Sequence, residues 1–399
     1  MDDVLLALAE AAQDHVPPAY APLVEALISD FLACCLGSGA EADGGMMRAD
    51  GTAGTVALLS LRASRRDLDD ISWDLGVHVG AVVLPVVIAL GTEVGATNEI
   101  LGRAVAAGYR SAMTMAAALG PDHSRRWHTT ATAGTFGAAS AASVLLGYST
   151  VLHRDSLVHA AAATGGTGQA VAEGKGAAAF NRAAAATSGL FAARAARLGL
   201  PRIVRPLDGD RGLFGLMASV RPPAMTDLTY GLPNVSLRIL PVNGHSQSVA
   251  IAAACLRHDR NAEFQLMEVQ LPNSAVGATD GRAGPWWDSR LAALRAWSAG
   301  DAFVVATASE LDHLVDRVNV VAGPLGPGQS IVTVTSNGAI VSSATTDPPG
   351  LRPLSTESRR LIHQKWTRVL GQDPSRVLAL ATEVCEVGPS LSIIDELIQ

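Results

Sequence analysis

Aromatic residues are scarce in this 399-residue chain, 4% against 48% hydrophobic residues overall, so any core must be built from Ala, Val and Leu. Alanine runs at 116–118, 160–163, 177–179, 183–186 and 252–254 favour helix intrinsically and let helices approach closely. Cysteine is scarce too. Cys34 and Cys35 are adjacent, Cys255 and Cys385 are isolated, and no CxxC or Cys/His spacing offers a disulfide framework or a metal site. Positive charge is not in excess: a net charge of -7 with no concentrated basic face argues against a nucleic-acid partner. Phosphate-cradling signatures are missing as well, since Gly165-Gly166-Thr167-Gly168 is not a GxGxxG turn and no GxxxxGK[ST] occurs. The most apolar run, 81–90, is far shorter than the roughly 20 residues of a membrane-spanning helix and carries Pro85, so no membrane partner is expected. Met1-Asp2-Asp3 lacks the basic opening of a secretory signal, which makes the cytoplasm the expected compartment. Lysine is nearly absent: Lys175 and Lys365 stand alone among arginines. A lysine kept against such a bias is a candidate for a task arginine cannot do, such as giving up a proton; the alternative is a chance surface residue.

What is present is helical periodicity. Apolar residues recur at helical spacing over 5–12, 22–36, 54–63, 80–90, 99–119, 131–146, 156–163 and 183–198, with Gly37, Gly91, Gly120, Gly147 and Gly199 where C-terminal caps belong. After about Gly231 the pattern changes. Residues 235–240 read as a short strand, 247–256 as a helix, and Met267, Val269 and Leu271 alternate with polar residues as a strand does. Residues 318–321 and 331–335 also read as extended, and Asn337-Gly338 before Ala339 is a hairpin signal, because both residues accept a positive φ. Beyond Pro348-Pro349-Gly350 helices return, one capped by Ser355 and running to about Leu370, the next opened by Asp373-Pro374. The expected fold is mainly α: a large all-helical domain, residues 1–230 and 351–399, plus a smaller α+β domain, residues 231–350.

Chemistry concentrates in four places. The stretch from Trp127 and His128 through Thr129 to Ala139 sets one histidine at the mouth of a closely packed helix, where a ring titrating near neutrality is well placed to move protons; the alternative is a surface histidine. The other three are Asp67-Leu68-Asp69-Asp70 followed by His78, then Glu173-Gly174-Lys175-Gly176, then Arg238 with Asn243-Gly244-His245. Read without context, the aspartates are a solvated segment and Arg238 a strand-edge surface residue.

These stretches, in this order, resemble the MmgE/PrpD family, which includes 2-methylcitrate dehydratase, cis-aconitate decarboxylase and an iminodisuccinate epimerase. The acidic segment leading to His78-Val79-Gly80 and Pro85 is similar to that family's acidic segment and helix start. Ala107-Gly108-Tyr109-Arg110, Leu119-Gly120 and the His128 run are similar to its next motifs, followed by Ala184-Ala185-Ala186-Thr187-Ser188-Gly189, Arg211-Gly212-Leu213-Phe214, 241–253, and Pro353-Leu354-Ser355. The resemblance implies an MmgE/PrpD-like fold, a site between two domains, a homodimer, and proton chemistry beside a carboxylate with no metal or organic cofactor. It places His78, His128 and Asp67 as active-site residues, with Arg238 where many members have lysine.

The chain also departs from the pattern. The family's Lys-x-x-His pair aligns with Ala178 and Asn181, so Lys175 is a candidate substitute, and His245 stands displaced from a later family histidine. Thr129, Asn181, Asn243 and Arg238 are candidate substrate contacts. Losing a cation and a histidine weakens a tricarboxylate site, since each charge-assisted hydrogen bond is worth roughly 1.5–3 kcal/mol. The expectation is a cofactor-independent lyase, a dehydratase or decarboxylase type, acting by acid/base chemistry on a small carboxylate or carbonyl substrate other than 2-methylcitrate, such as a specialised metabolite. His78 or His128 is then the base, with Asp67 orienting a histidine. An isomerase, epimerase or cyclase on the same fold and a catalytically inactive binding homologue are the alternatives.

Overall fold

The computed structural model describes residues 3–38, 50–173, 177–218, 228–240, 242–256, 264–277, 288–305, 307–346, 356–371 and 373–398. The chain is mainly α with a small α+β part, and divides into two compact units: Met1–Ala170, Gly176–Leu237 and Arg352–Gln399 form the first, Val171–Lys175 and Arg238–Leu351 the second.

The first unit is helical. Its helices are α1 (Asp3–Ala11), α2 (Ala21–Leu36), α3 (Gly51–Ser64), α4 (Gly80–Val94), α5 (Asn98–Leu119), α6 (Thr129–Leu145) and α7 (Thr150–Ala163). A short α8 (Gln169–Glu173), assigned from Val171 onward to the second unit, precedes α9 (Ala177–Ala196) and α10 (Leu213–Met217) of the first. Every residue of α6 is buried, which its small side chains permit, and the helix packs against α4, α5 and α9. Close approach is needed there: a Cβ on Gly137 would sit 2.8 Å from the Gly108 carbonyl oxygen. The periodic segments fall in these helices with several ends displaced: the helices read from 156 and 183 begin at Thr150 and Ala177. Gly91 lies inside α4, where Pro389 and Leu101 leave no room for a larger residue, and the helix stops instead at Gly95, whose φ is 63°.

The second unit contains α11 (Gly244–Ala254), α12 (Asn273–Val276) and α13 (Ser289–Ala299) beside a four-stranded sheet. Its strands β1 (Phe264–Pro272), β2 (Val318–Gly323), β3 (Ser330–Ser336) and β4 (Ala339–Thr345) lie in the order β2-β1-β3-β4. β1 pairs parallel with β2 and antiparallel with β3. Asn337 and Gly338, at φ 49° and 76°, turn β3 into β4 as their sequence requires. The strand expected over 235–240 is not formed: Ser236 and Leu237 are in isolated bridges, that of Ser236 to Ile71.

After the second unit the chain returns to helix with α14 (Thr356–Leu370), α15 (Ser375–Glu386) and α16 (Leu391–Ile398), all packed on α2. Pro353, Leu354 and the cap expected at Ser355 lie outside the described residues, as does Pro241. Residues 18–36, including α2, are apolar and long enough to cross a membrane, a candidate the run at 81–90 had overshadowed. Most of that segment is buried in the protein, however, and its Asp30 carboxylate receives Lys365 Nζ at 2.6 Å.

Candidate active site

The acidic segment is held in place before α4 begins. Ile71 and Ser236 exchange backbone hydrogen bonds of 2.9 and 2.8 Å, and Ser72 N donates to Val77 O across a tight turn. Asp70 is buried and caps α4, accepting from Gly80 N at 2.8 Å and from the Tyr109 hydroxyl at 2.6 Å. A Cβ on Gly80 would crowd both Asp70 oxygens, so glycine is the residue this cap permits. Burial pushes the Asp70 carboxyl up to about 7, against the lowering effect of its two donors.

The backbone carbonyl of Asp70 has a second task. It lies 2.9 Å from His78 Nδ1, and a carbonyl only accepts, so Nδ1 carries the proton and Nε2 the lone pair. Asp69 Oδ2 stands 3.6 Å from the same Nδ1, and the backbone N–H of His78 donates to Thr130 Oγ1 at 3.2 Å. Asp69 in turn faces Arg182 of α9, whose Nη1 is 3.2 Å from Asp69 Oδ2 and whose Nη2 is 3.5 Å from Asp67 Oδ1. Asp67 reaches that position with a φ of 53°, which few non-glycine residues adopt.

His128 precedes the first turn of α6 and is buried, its backbone N–H donating to Gly166 O at 2.9 Å. Burial drives its pKa down to about 3; Arg182 and His78 push the same way, and Asp69 and Asp67 oppose them. His128 is therefore neutral at neutral pH, and its buried Nδ1 has no hydrogen-bond partner among the described residues. The glycine-rich stretch that is no phosphate loop forms a strap over this helix entrance. Thr132 Oγ1 donates to Gly165 O at 3.1 Å, Gly168 N donates to Arg126 O at 2.8 Å, and Trp127 bridges to Thr167. Gly166 has φ 98°, and a Cβ there would clash with Ala131.

Residues 55–226 match the family model of the MmgE/PrpD N-terminal domain. This match, over somewhat less than half of the chain, supports membership in the MmgE/PrpD family. A search of the curated proteins finds no match. The MmgE/PrpD family is known for dehydratase-type lyases. The matched MmgE/PrpD region contains Asp67, Asp69, His78, His128 and Arg182, while Arg238, Asn243 and His245 lie beyond it.

Relative to the sequence reading of this MmgE/PrpD chain, the structure brings His78, His128 and Asp67 into one cluster and changes the surrounding roles. Asp69, not Asp67, is the carboxylate beside His78; Asp67 faces Arg182. Asp69 and Asp70 are buried, so the segment is not a solvated one. Arg182, which the sequence reading missed, is a cation of the cluster among the described residues; its one signal was a lone charge in the alanine-rich 177–193. The neighbouring Asn181 donates its amide to Thr167 O at 3.1 Å, holding the strap, and Thr129 is buried in the first turn of α6. Lys175 lies outside the described residues.

In the second unit Asn243 Oδ1 accepts from His245 N at 2.9 Å and so caps α11. Arg238 there is fully buried rather than a strand-edge surface residue, and burial lowers the His245 ring to about 4. A separate cavity of about 300 Å³ in the first unit is lined by Tyr20, Arg103, Arg110 and Tyr230, and neither His78 nor His128 borders it.

Proposed function

We propose that this protein is a cofactor-independent lyase that eliminates water from a small hydroxy acid, with His78 as the base. The observation that carries this reading is the pair of contacts at His78 Nδ1, the Asp70 carbonyl at 2.9 Å and the Asp69 carboxylate at 3.6 Å. Together they direct the Nε2 lone pair outward and stabilise the imidazolium that forms when it takes a proton. His128, kept neutral by a pKa of about 3, is a poor base in the working pH range but a sound hydrogen-bond donor, suited to an oxygen on which enolate charge develops. In the proposed step His78 Nε2 removes the proton α to the carboxylate and the C–C double bond forms as the β C–O bond breaks. The departing hydroxyl takes the proton from His78, which returns to its neutral form as water leaves.

Charge narrows the substrate class. Arg182, the cation that the described residues bring to this cluster, already faces two carboxylates, Asp67 and Asp69, and so has little charge to spare for those of a substrate. A substrate with one carboxylate meets less repulsion there than a tricarboxylate, which disfavours 2-methylcitrate.

The test is a panel of 3-hydroxy acids bearing one, two or three carboxylates, incubated in D2O and read by mass spectrometry. Dehydration of a member with one or two carboxylates, slowed about 10²–10⁴-fold in His78→Asn, is the expected result. Full activity in His78→Asn overturns the role of His78, and solvent deuterium entering recovered substrate without loss of water assigns the site to an isomerase instead.

A further inference from the structure

Of the two lysines in the chain, Lys365 has no part in the cluster around His78, yet its side chain is 0% exposed and its Asp30 partner 2%. A buried ion pair of this kind adds little to stability compared with apolar residues of the same size, so its contribution is sought in what it fixes. Lys365 Nζ makes two short contacts, to Asp30 Oδ1 at 2.6 Å and to the backbone carbonyl of Leu68 at 2.8 Å. Trp366 Nε1 holds the same Asp30 oxygen at 2.9 Å. Leu68 is the second residue of the Asp67–Asp70 segment, one position before the carboxylate beside His78 and two before the carbonyl that receives its Nδ1 proton. A cavity of about 10 Å³, lined by Asp30, Asp69, Asp70 and Gly80 among others, adjoins this point. Arginine is a poor substitute here. Its planar fork is bulkier than an ammonium, which satisfies a carboxylate and a carbonyl from a single atom.

We infer that Lys365 is a positioning residue for His78: by holding the Leu68 carbonyl it fixes the following two peptides, so that the Asp70 carbonyl selects the Nδ1–H form of the ring. The catalytic consequence rests on the proposed role of His78 as base, whereas the structural linkage does not. In this account α14 contributes to the site without touching substrate.

The experiment is nitrogen NMR of the full chain carrying ¹⁵N-labelled histidine, with the His78 signals assigned by their loss in His78→Asn. The wild-type ring is expected in the Nδ1–H form alone. Lys365→Met is expected to shift His78 to a mixture of both tautomers while His153, which bonds Ser140 in the helical core, keeps its signals. A buried Asp30 left without its cation can unfold that variant, so Asp30→Asn with Lys365→Met is made alongside it. The double variant leaves no unpaired charge and retains an acceptor for Trp366. A pure Nδ1–H form of His78 in either folded variant overturns the inference. If His78→Asn retains activity, the base assignment fails, and the tautomer ratio still decides whether Lys365 orders the ring.

Discussion

Arg182 shows how one side chain sets the state of its neighbours. It is buried against Asp69 and Asp67, and its charge helps to keep His128 unprotonated. Replacing it by glutamine takes the guanidinium away from two carboxylates, at an expected cost of about 3–5 kcal/mol in urea denaturation. In the folded remainder the His128 ring titrates above its present value of about 3, because a positive neighbour has gone and two negative ones remain; NMR titration reads this directly. An unshifted His128 would show that Arg182 does not act on it. At this scale the sequence was only partly legible. His78 and His128 stand out because polar rings interrupt small or apolar stretches. Asp67 and Asp69 could not be told apart, since their segment has no regular period to say which points inward. Arg182 was hidden because its partner Asp69 lies 113 residues earlier, and an arginine in an alanine helix reads as its exposed face.

At the scale of elements, the helical unit depends on contact between backbones. Gly189 of α9 faces α6, where a Cβ would come within 2.5 Å of the Thr135 carbonyl oxygen and closer still to Ala138. Gly189→Ala is therefore expected to destabilise by about 1–3 kcal/mol despite alanine's better helix propensity, read as a lowered denaturation midpoint. A midpoint that rises would mean the helices can part without loss. The same packing explains which elements the sequence made legible. Helical periodicity is a local signal and located the main helices, whereas their ends depend on neighbours. Gly91 resembles a stop signal, yet it serves as space for Pro389 and Leu101 inside α4. Residues 235–240 have strand-like composition, but only Ser236 and Leu237 among them form bridges, and these do not extend into a strand.

For the whole molecule, buried ionisable groups predict how stability follows pH. His128, His153 and His245 have folded pKa values of about 3, 4 and 4, below the ordinary histidine value of 6.5. The unfolded chain therefore binds protons at these sites first, and their contribution, complete above pH 6.5, is lost as pH falls toward the folded values. Asp70 has the opposite sign: its folded value of about 7 exceeds the ordinary 3.8, so its contribution is complete at low pH and is lost as pH rises through 7. Three depressed histidines outweigh one raised aspartate between about pH 4 and 6.5, and the urea midpoint is expected to fall on acidification from pH 7 to 5. A flat or rising midpoint contradicts the buried, neutral state of these rings. At this scale the mainly α class with a small α+β part followed from alanine content and from the change of period after Gly231, because both integrate over many residues.

The partnership of Asp30 with Lys365 also has a consequence in time. The two residues are 335 positions apart, the same separation that lies between Arg62 and the Leu397 carbonyl it binds. At a ribosomal pace of about 5–20 residues per second, α2 emerges roughly 20–70 seconds before its cation does. During that interval an apolar helix carries a bare carboxylate that has nowhere dry to go. The nascent chain must wait, open or in the care of a chaperone, and the helical unit closes only when its last three helices arrive.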